Sequence, residues 1–342
     1  DVPSAMAVME GTPEDLRIHL RGNHITLGEL VPRQFPQVLT TGTQTPVDDT
    51  QSGRLQLARW LTSDNHPLTA RVIANRIWHW HFGRALVRSP DNFGRLGQRP
   101  THPALLDFLA LKLQDGDWSL KSLHRAIMLS STYQMSSNWN ERYGESDPEN
   151  KLIWRMNRRR LEAEEIRDSL LAVGDNLDLR MGGSLLPIKN RAYVTSTANI
   201  DIAVYDTRRR SLYLPVVRSA LYSVFQVFDF AEPSVPSGQR QVTNIASQAL
   251  FIMNSKIVKD QSESLAKMLL ATGTADVQQR IQQLYLQVLG RTADLQELAS
   301  CLAHLEKYSA ALEKNGIKGA DQQLQSWQSL CRALLASNEF IY

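Results

Sequence analysis

Three histidines, His79, His81 and His102, are the side chains in this chain best suited to hold a transition metal. Their spacing argues against it. On a helix, residues two apart point about 200° away from one another, so His79 and His81 face different sides. Two imidazoles sharing an ion on one helix stand four apart. No metal ligand set is expected, and His81 and His102 are read as fastening the irregular stretch between residues 84 and 101 by hydrogen bonds. Asp91 stands near Arg76, Arg95 and Arg99 in this reading. The four form either a buried or half-buried polar network that fixes the stretch, or a ligand site. A second set, Arg155, Arg158–Arg160 and Arg208–Arg210, has the forked donors that grip carboxylate or sulfate, so an anionic glycan is one expected partner. Salt pairing with Glu162, Glu164 and Glu165 is the alternative. Of the tryptophans, Trp139 lies in a polar loop and is the one read as a stacking platform for sugar. Trp78 and Trp327 sit on core stripes.

Other chemistries lack their residues. The chain has no GxSxG elbow, P-loop, HExxH or glycine-rich dinucleotide turn, and no spacing marks an acid/base carboxylate pair. Cys301 and Cys331 form no CxxC, which excludes a thiolate zinc knuckle and a covalent haem within this chain. The two cysteines fall at similar heights on successive helices. They are read as a bridge closing a loop of about 30 residues, worth roughly 3.5 kcal/mol in the chain-entropy model, or as two small buried thiols.

The elements that must carry these residues read as mainly α-helical. Apolar spacing predicts helices over Leu68–Phe82, with Val72, Ile73, Ile77, Trp78 and Trp80 wrapping much of the surface, and from Thr101 to Gly116, with Leu105, Leu106, Phe108, Leu109 and Leu113 inward. Gly83 and Gly116 stop them. Ser119 caps a further helix. Gln134–Lys151 reads as a polar surface crossing. Further helices are predicted over Glu162–Leu177 and Thr243–Ala271. Three more follow, from Asp276, from Thr292 to about Lys314 with Leu295 inward, and over Asp321–Ser337. Strand candidates are Ala5–Met9, Leu16–Arg21, Arg191–Thr197 and Ser211–Val217, giving a small β element near the N-terminus and around 190–217. The expected organisation is an extended segment and linker over 1–52, a helical module over 53–140, a central helical module with a β insert over 141–272, and a three-helix module over 273–342. Arg84–Thr101, with Gly94, Gly97, Pro90 and Pro100, is too long for an ordinary connection and is expected to be a rigid, fastened loop.

A length of 342 residues allows more than one core, and 42% hydrophobic with 21% charged residues is ordinary for a globular protein. A net charge of +3 gives no footprint for nucleic acid. No apolar run is long enough to span a membrane. The chain begins at Asp1, and is expected to be processed or a piece of a longer protein.

Several motifs together resemble the planctomycete-specific PSD1 family, DUF1553. They are Asn75-Arg76-Ile77-Trp78, His81-Phe82-Gly83-Arg84, Ser89-Pro90-Asp91-Asn92-Phe93-Gly94, Pro100-Thr101-His102-Pro103 and Leu129-Ser130-Ser131-Thr132-Tyr133-Gln134. Arg159-Arg160-Leu161, Arg167-Asp168, Tyr213-Leu214-Pro215 and Leu289-Gly290-Arg291 extend the likeness. The resemblance implies a C-terminal part of a large exported protein of the periplasm or cell envelope, with a cytochrome c-like domain and a DUF1549 domain upstream. It implies haem c on the upstream domain only, and carries no catalytic residues. The expected function is a non-catalytic scaffold and interaction module whose partners are other domains of the parent or envelope proteins. The alternative is an envelope enzyme or redox component acting on complex polysaccharide, including sulfated polysaccharide, with a site between the Arg84–Thr101 loop and the Gly182–Arg210 stretch.

Overall fold

The computed structural model describes residues 7–40, 42–44, 47–48, 50–183, 185, 205–218, 220–273 and 276–342. The chain is mainly α-helical and divides into two compact units, Asp1–Arg158 and Arg159–Tyr342. Among the described residues no helix is long and apolar enough to cross a membrane.

The first unit opens on an antiparallel hairpin, β1 (Leu16–His19) and β2 (Leu27–Val31), with Leu16 opposite Val31 and an irregularity between Arg17 and His19. The strand expected over Leu16–Arg21 forms over Leu16–His19 and stops there, because Leu20–Gly22 turns as a 3-10 helix with Arg21 at φ 53°; its partner is the following segment. Ala5 and Met6 lie outside the described residues, and no strand forms over the rest of Ala5–Met9. Helix α1 (Arg54–Leu61) follows, and Phe35 stacks on its Trp60 at 4.7 Å.

Helix α2 (Thr69–Phe82) ends at Gly83, whose φ of 70° suits a residue without a Cβ. With α3 (Pro103–Asp115) and α4 (Leu120–Met128) it encloses a core of Ala74, Ile77, Trp78, Phe82, Leu106, Leu109, Leu113, Leu123 and Ile127. Proline begins α3 where its missing N–H costs nothing, and the Ser119 hydroxyl accepts the Ser122 amide to begin α4. Trp80 and Phe108, both expected inside, are exposed. Each lies on the side of its helix opposite the α2–α3–α4 core, so apolar character did not place it there. The stretch Gln134–Lys151 contains a short helix, α5 (Glu141–Ser146), and the first unit runs on through Arg158.

The second unit begins with α6 (Ala163–Val173), shorter than the Glu162–Leu177 expected because Gly174 ends it. Ser211–Val217 is not a strand. Ser211–Tyr213 forms a 3-10 turn, and the extended pairing here is one parallel bridge between Asp178 and Arg209. Arg191–Thr197 lies outside the described residues. After α7 (Ser223–Val227), the helix expected over Thr243–Ala271 is two: α8 (Ala246–Asn254) and α9 (Lys256–Ala271), broken by extended backbone at Ser255.

Then come α10 (Val277–Leu289), α11 (Leu295–Lys314), α12 (Gly319–Leu335) and the short α13 (Asn338–Ile341). Gly290 closes α10 at φ 70°. The cap of α11 is Asp294, not Thr292: its carboxylate accepts the Glu297 amide at 2.8 Å. Leu295, expected inward, is exposed. Side chains of α6, α7, α9, α10 and α12 share one core, with Ile166, Phe225, Val258, Leu265, Leu284, Trp327 and Leu335 at its centre. Cys301 and Cys331 are both buried in this core as free thiols, and Cys301 lies 3.8 Å from the Tyr285 hydroxyl. Burial pushes both thiols above their ordinary range.

Arg291 ties these last helices together. It donates to both oxygens of Glu297 at 2.6–2.7 Å and to both of Glu339 at 2.5–2.7 Å. The Arg291 guanidinium, and next the Asp294 amide, hold the Glu297 carboxyl down to about 2. A carboxyl lowered on folding stabilises the fold above its unfolded value, near 4.5, and loses that contribution as pH falls towards 2. Glu297→Gln is therefore expected to be less stable than the parent at pH 6, by about 1–2 kcal/mol after allowance for partial exposure. The difference should close between pH 4.5 and pH 2 in urea titrations; a pH-independent difference would contradict it.

Candidate functional site

Helix α6 carries an arginine and an aspartate in succession, and both bond the segment that runs from Tyr205 to Leu214. Arg167 is 1% exposed. Its Nη1 donates to the Arg209 carbonyl at 2.8 Å, to Ser211 Oγ at 3.2 Å and to Asp168 Oδ1 at 3.3 Å, and its Nη2 donates to the Thr207 carbonyl. Asp168 receives the Ser211 amide at 2.9 Å and its hydroxyl at 2.7 Å. The pair therefore stitches an irregular backbone, with few partners of its own, onto a regular helix.

Two pockets flank this seam. One, of about 720 Å³, is lined by Glu162, Glu164, Glu165 and Asp168 above an apolar floor that includes Leu214, Phe225 and Phe230. Its carboxylates are already engaged. Arg240 lies 2.9 Å from Glu162 and 2.5 Å from Glu164, and Arg159 lies 2.9 Å from Glu165. Burial raises the Glu162 carboxyl above its ordinary range, against the pull of Arg240 and with the push of Glu165 and Glu164. The other pocket, of about 780 Å³, is lined by residues of α6, α9 and Tyr205–Arg208.

The candidate residues divide between the units. In the first, Arg76 and Asp91 approach to 3.8 Å, and both are well exposed, so the polar network expected there as buried or half-buried lies at the surface. Arg95 and Arg99 are exposed. His81 Nε2 lies 2.8 Å from His124 Nδ1 on α4. His102, at the N-cap of α3, lies 3.0 Å from the Thr101 hydroxyl. Trp139 is exposed, with the Arg155 guanidinium 5.2 Å from its ring centre and 5.1 Å from that of Trp154. Among the described residues no group of three or more His, Cys, Asp or Glu is placed to hold a metal.

Asn75, which the sequence shows only as the first residue of a motif, is one of the residues that hold the Arg84–Thr101 loop. Fully buried, it accepts the Val87 amide at 2.8 Å and donates to the Val87 carbonyl at 3.1 Å. Arg88 bonds Glu149 at 2.8 Å, and the Thr101 amide reaches the Leu86 carbonyl at 3.0 Å. Within the loop a Cβ on Gly97 would stand 1.9 Å from the Asn92 oxygen, so only glycine fits. At its root Asn157 donates to the last carbonyl of α2, that of Phe82, at 3.0 Å, and Asn150 holds Asn157 at 2.9 Å. These asparagines are polar residues in polar sequence, and nothing in a hydrophobic pattern distinguishes them.

In the second unit Arg208 and Arg210 each line one of the two pockets, and Arg209 lines neither. Arg208 lines the larger and Arg210 the smaller. Arg209 donates to the carbonyls of Arg180 at 3.0 Å and Gly182 at 2.6 Å and lies over Tyr213. The site expected between the Arg84–Thr101 loop and Gly182–Arg210 would draw on both units and on residues 186–204, which lie outside the described residues.

The family model of PSD1, a protein of unknown function (DUF1553), matches residues 53–305. No curated protein and no solved structure matches the chain.

Proposed function

We propose that this chain, which belongs to the PSD1 family of unknown function (DUF1553), is a non-catalytic scaffold and interaction module of a larger exported cytochrome c-like planctomycete protein. It holds neighbouring domains of its parent, or envelope proteins, in the periplasm or cell envelope, with haem c on the upstream domain. The observation that carries this reading is the outer face of α8. That helix has no charged side chain, and Leu250 and Met253 are 59% and 55% exposed; Val242 and Ile245, just before it in the chain, are exposed too. A helix face left in water is ordinarily polar, and a contiguous apolar patch marks a surface that another molecule covers. The opposite face of α8 already contributes Ile252 to the core, so the exposed side chains are surplus to the fold.

Catalysis on polysaccharide, the alternative, requires an acid or base free to exchange a proton. The carboxylates of the 720 Å³ pocket are bound by Arg159, Arg240, and the Arg167–Ser211 seam. That supports a fixed framework over a reaction centre.

Changing Leu250 and Met253 together to Glu is expected to leave the thermal midpoint within about 3 °C of the parent, because both side chains are more than half exposed. The same change should weaken calorimetric binding of the separately purified upstream domains by about tenfold or more. Equal affinity of variant and parent, or no affinity of either, would remove the reading.

A further inference from the structure

The larger of the two pockets has a lining whose chemistry selects a ligand. We infer that the 780 Å³ pocket beside α9 binds a neutral, hydroxyl-rich molecule, an oligosaccharide segment.

Its size falls in the range of small-molecule sites, about 300–1,000 Å³. The charges along its rim cancel. Lys256 bonds Asp260 at 2.5 Å and Lys267 bonds Glu263 at 2.5 Å, one turn apart on α9. Asp206 and Arg208 add one charge of each sign, and Arg167 is opposed by Asp168. An ion entering here would lose its hydration without a net field to replace it. A neutral ligand loses much less, and finds many hydrogen-bonding groups: the amides of Asn176 and Gln261 and the hydroxyls of Thr207, Ser223 and Ser264.

The rest of the wall is apolar. The half-buried Tyr222 rests on Tyr205, with ring centres 4.9 Å apart and planes at 21°, and Leu171, Leu221 and Ile257 continue the surface. Tyr205 is itself anchored, its hydroxyl donating to the Ala220 carbonyl at 2.7 Å. A sugar ring has the matching split character, with C–H groups on its faces and hydroxyls at its rim. A lining that combines Tyr222, which has the Arg167 guanidinium 5.8 Å from its ring centre, with uncharged amides and paired charges offers contacts to both parts. The amides are held in place beforehand: Asn176 Nδ2 donates to Gln261 Oε1 at 2.8 Å and to Ser264 Oγ at 3.1 Å.

Calorimetric titration of the whole chain with chitotriose, cellotriose, maltotriose and xylotriose tests this, with ATP and a heparin disaccharide as charged comparisons. At least one neutral trisaccharide is expected to bind with one site per chain and more tightly than either charged probe. Tyr222→Ala should weaken that binding by about tenfold, the loss of one stacked ring and its contacts. Because Tyr222 also touches the core, the combined change Asp206→Ala and Arg208→Ala, on two exposed residues, provides the second reading and should weaken binding without moving the thermal midpoint. Binding of none of the four sugars, preference for a charged probe, or indifference to the Asp206/Arg208 change would overturn the inference. The Leu250/Met253 variant should bind the sugar as the parent does, so this inference and the docking of neighbouring domains fail separately.

Discussion

Replacing Arg167 by Leu is expected to lower the stability of the second unit by about 3–5 kcal/mol, the cost of breaking a buried charged network from one side. The side chain is wholly enclosed, and four of its bonds go to groups that have few alternatives. Leucine fills part of the volume but leaves the carbonyls of Thr207 and Arg209 without a donor, and Asp168 without its neighbouring cation. At the usual sensitivity of small domains to urea, such a loss moves the unfolding midpoint by roughly 1–3 M. Arg167→Lys keeps the charge but cannot span the same acceptors, and should fall between the two. If Arg167→Leu shifts the midpoint by less than about 0.3 M, the seam between α6 and Tyr205–Leu214 is not what orders that segment. The role proposed for the outer face of α8 would be untouched by that result.

Asn75→Ala should have the second largest effect, about 2–4 kcal/mol in the first unit. Val87 would lose the acceptor of its amide and the donor to its carbonyl together, both out of reach of water. Each orphaned buried group costs about 1–3 kcal/mol. The change has a local signature beyond stability. Hydrogen exchange at the Val87 amide should speed up, and limited proteolysis should begin to cut within residues 84–101. Unchanged exchange at Val87 with a lowered midpoint would mean that Asn75 supports the core and not the loop. Arg76→Ala, one residue along on the exposed side of α2, should show neither effect, since its pairing with Asp91 at 3.8 Å is on the surface.

These two residues also show what the sequence made legible. Helix α2, its stop at Gly83 and the entry of α3 at Pro103 follow from apolar spacing and the backbone habits of two residue types, and all are present. The sequence assigns the fastening of the Arg84–Thr101 loop to His81 and His102, and the structure adds Asn75 to it. Asn75 suits the task, because a short amide can answer one residue's amide and carbonyl at once, a property that leaves no mark on periodicity. The break between α8 and α9 was missed because Ser255 is neither Gly nor Pro. Apolar spacing puts Trp80, Phe108 and Leu295 inside, and the structure leaves them exposed, because packing decides which apolar residues are covered. Arg240 and Glu164 are 76 positions apart, and their meeting is a product of the fold that local reading does not reach.

The two cysteines of the chain both fall within Arg159–Tyr342, and the first unit has none. Cys331 is inaccessible and Cys301 nearly so. A chromogenic disulfide reagent therefore has nothing to attack while that unit is closed. Colour would develop only at the pace of its opening, and would be silent to any melting of the Trp78 core. The molecule carries its own clock for one half of itself, readable without attaching a dye or altering a residue.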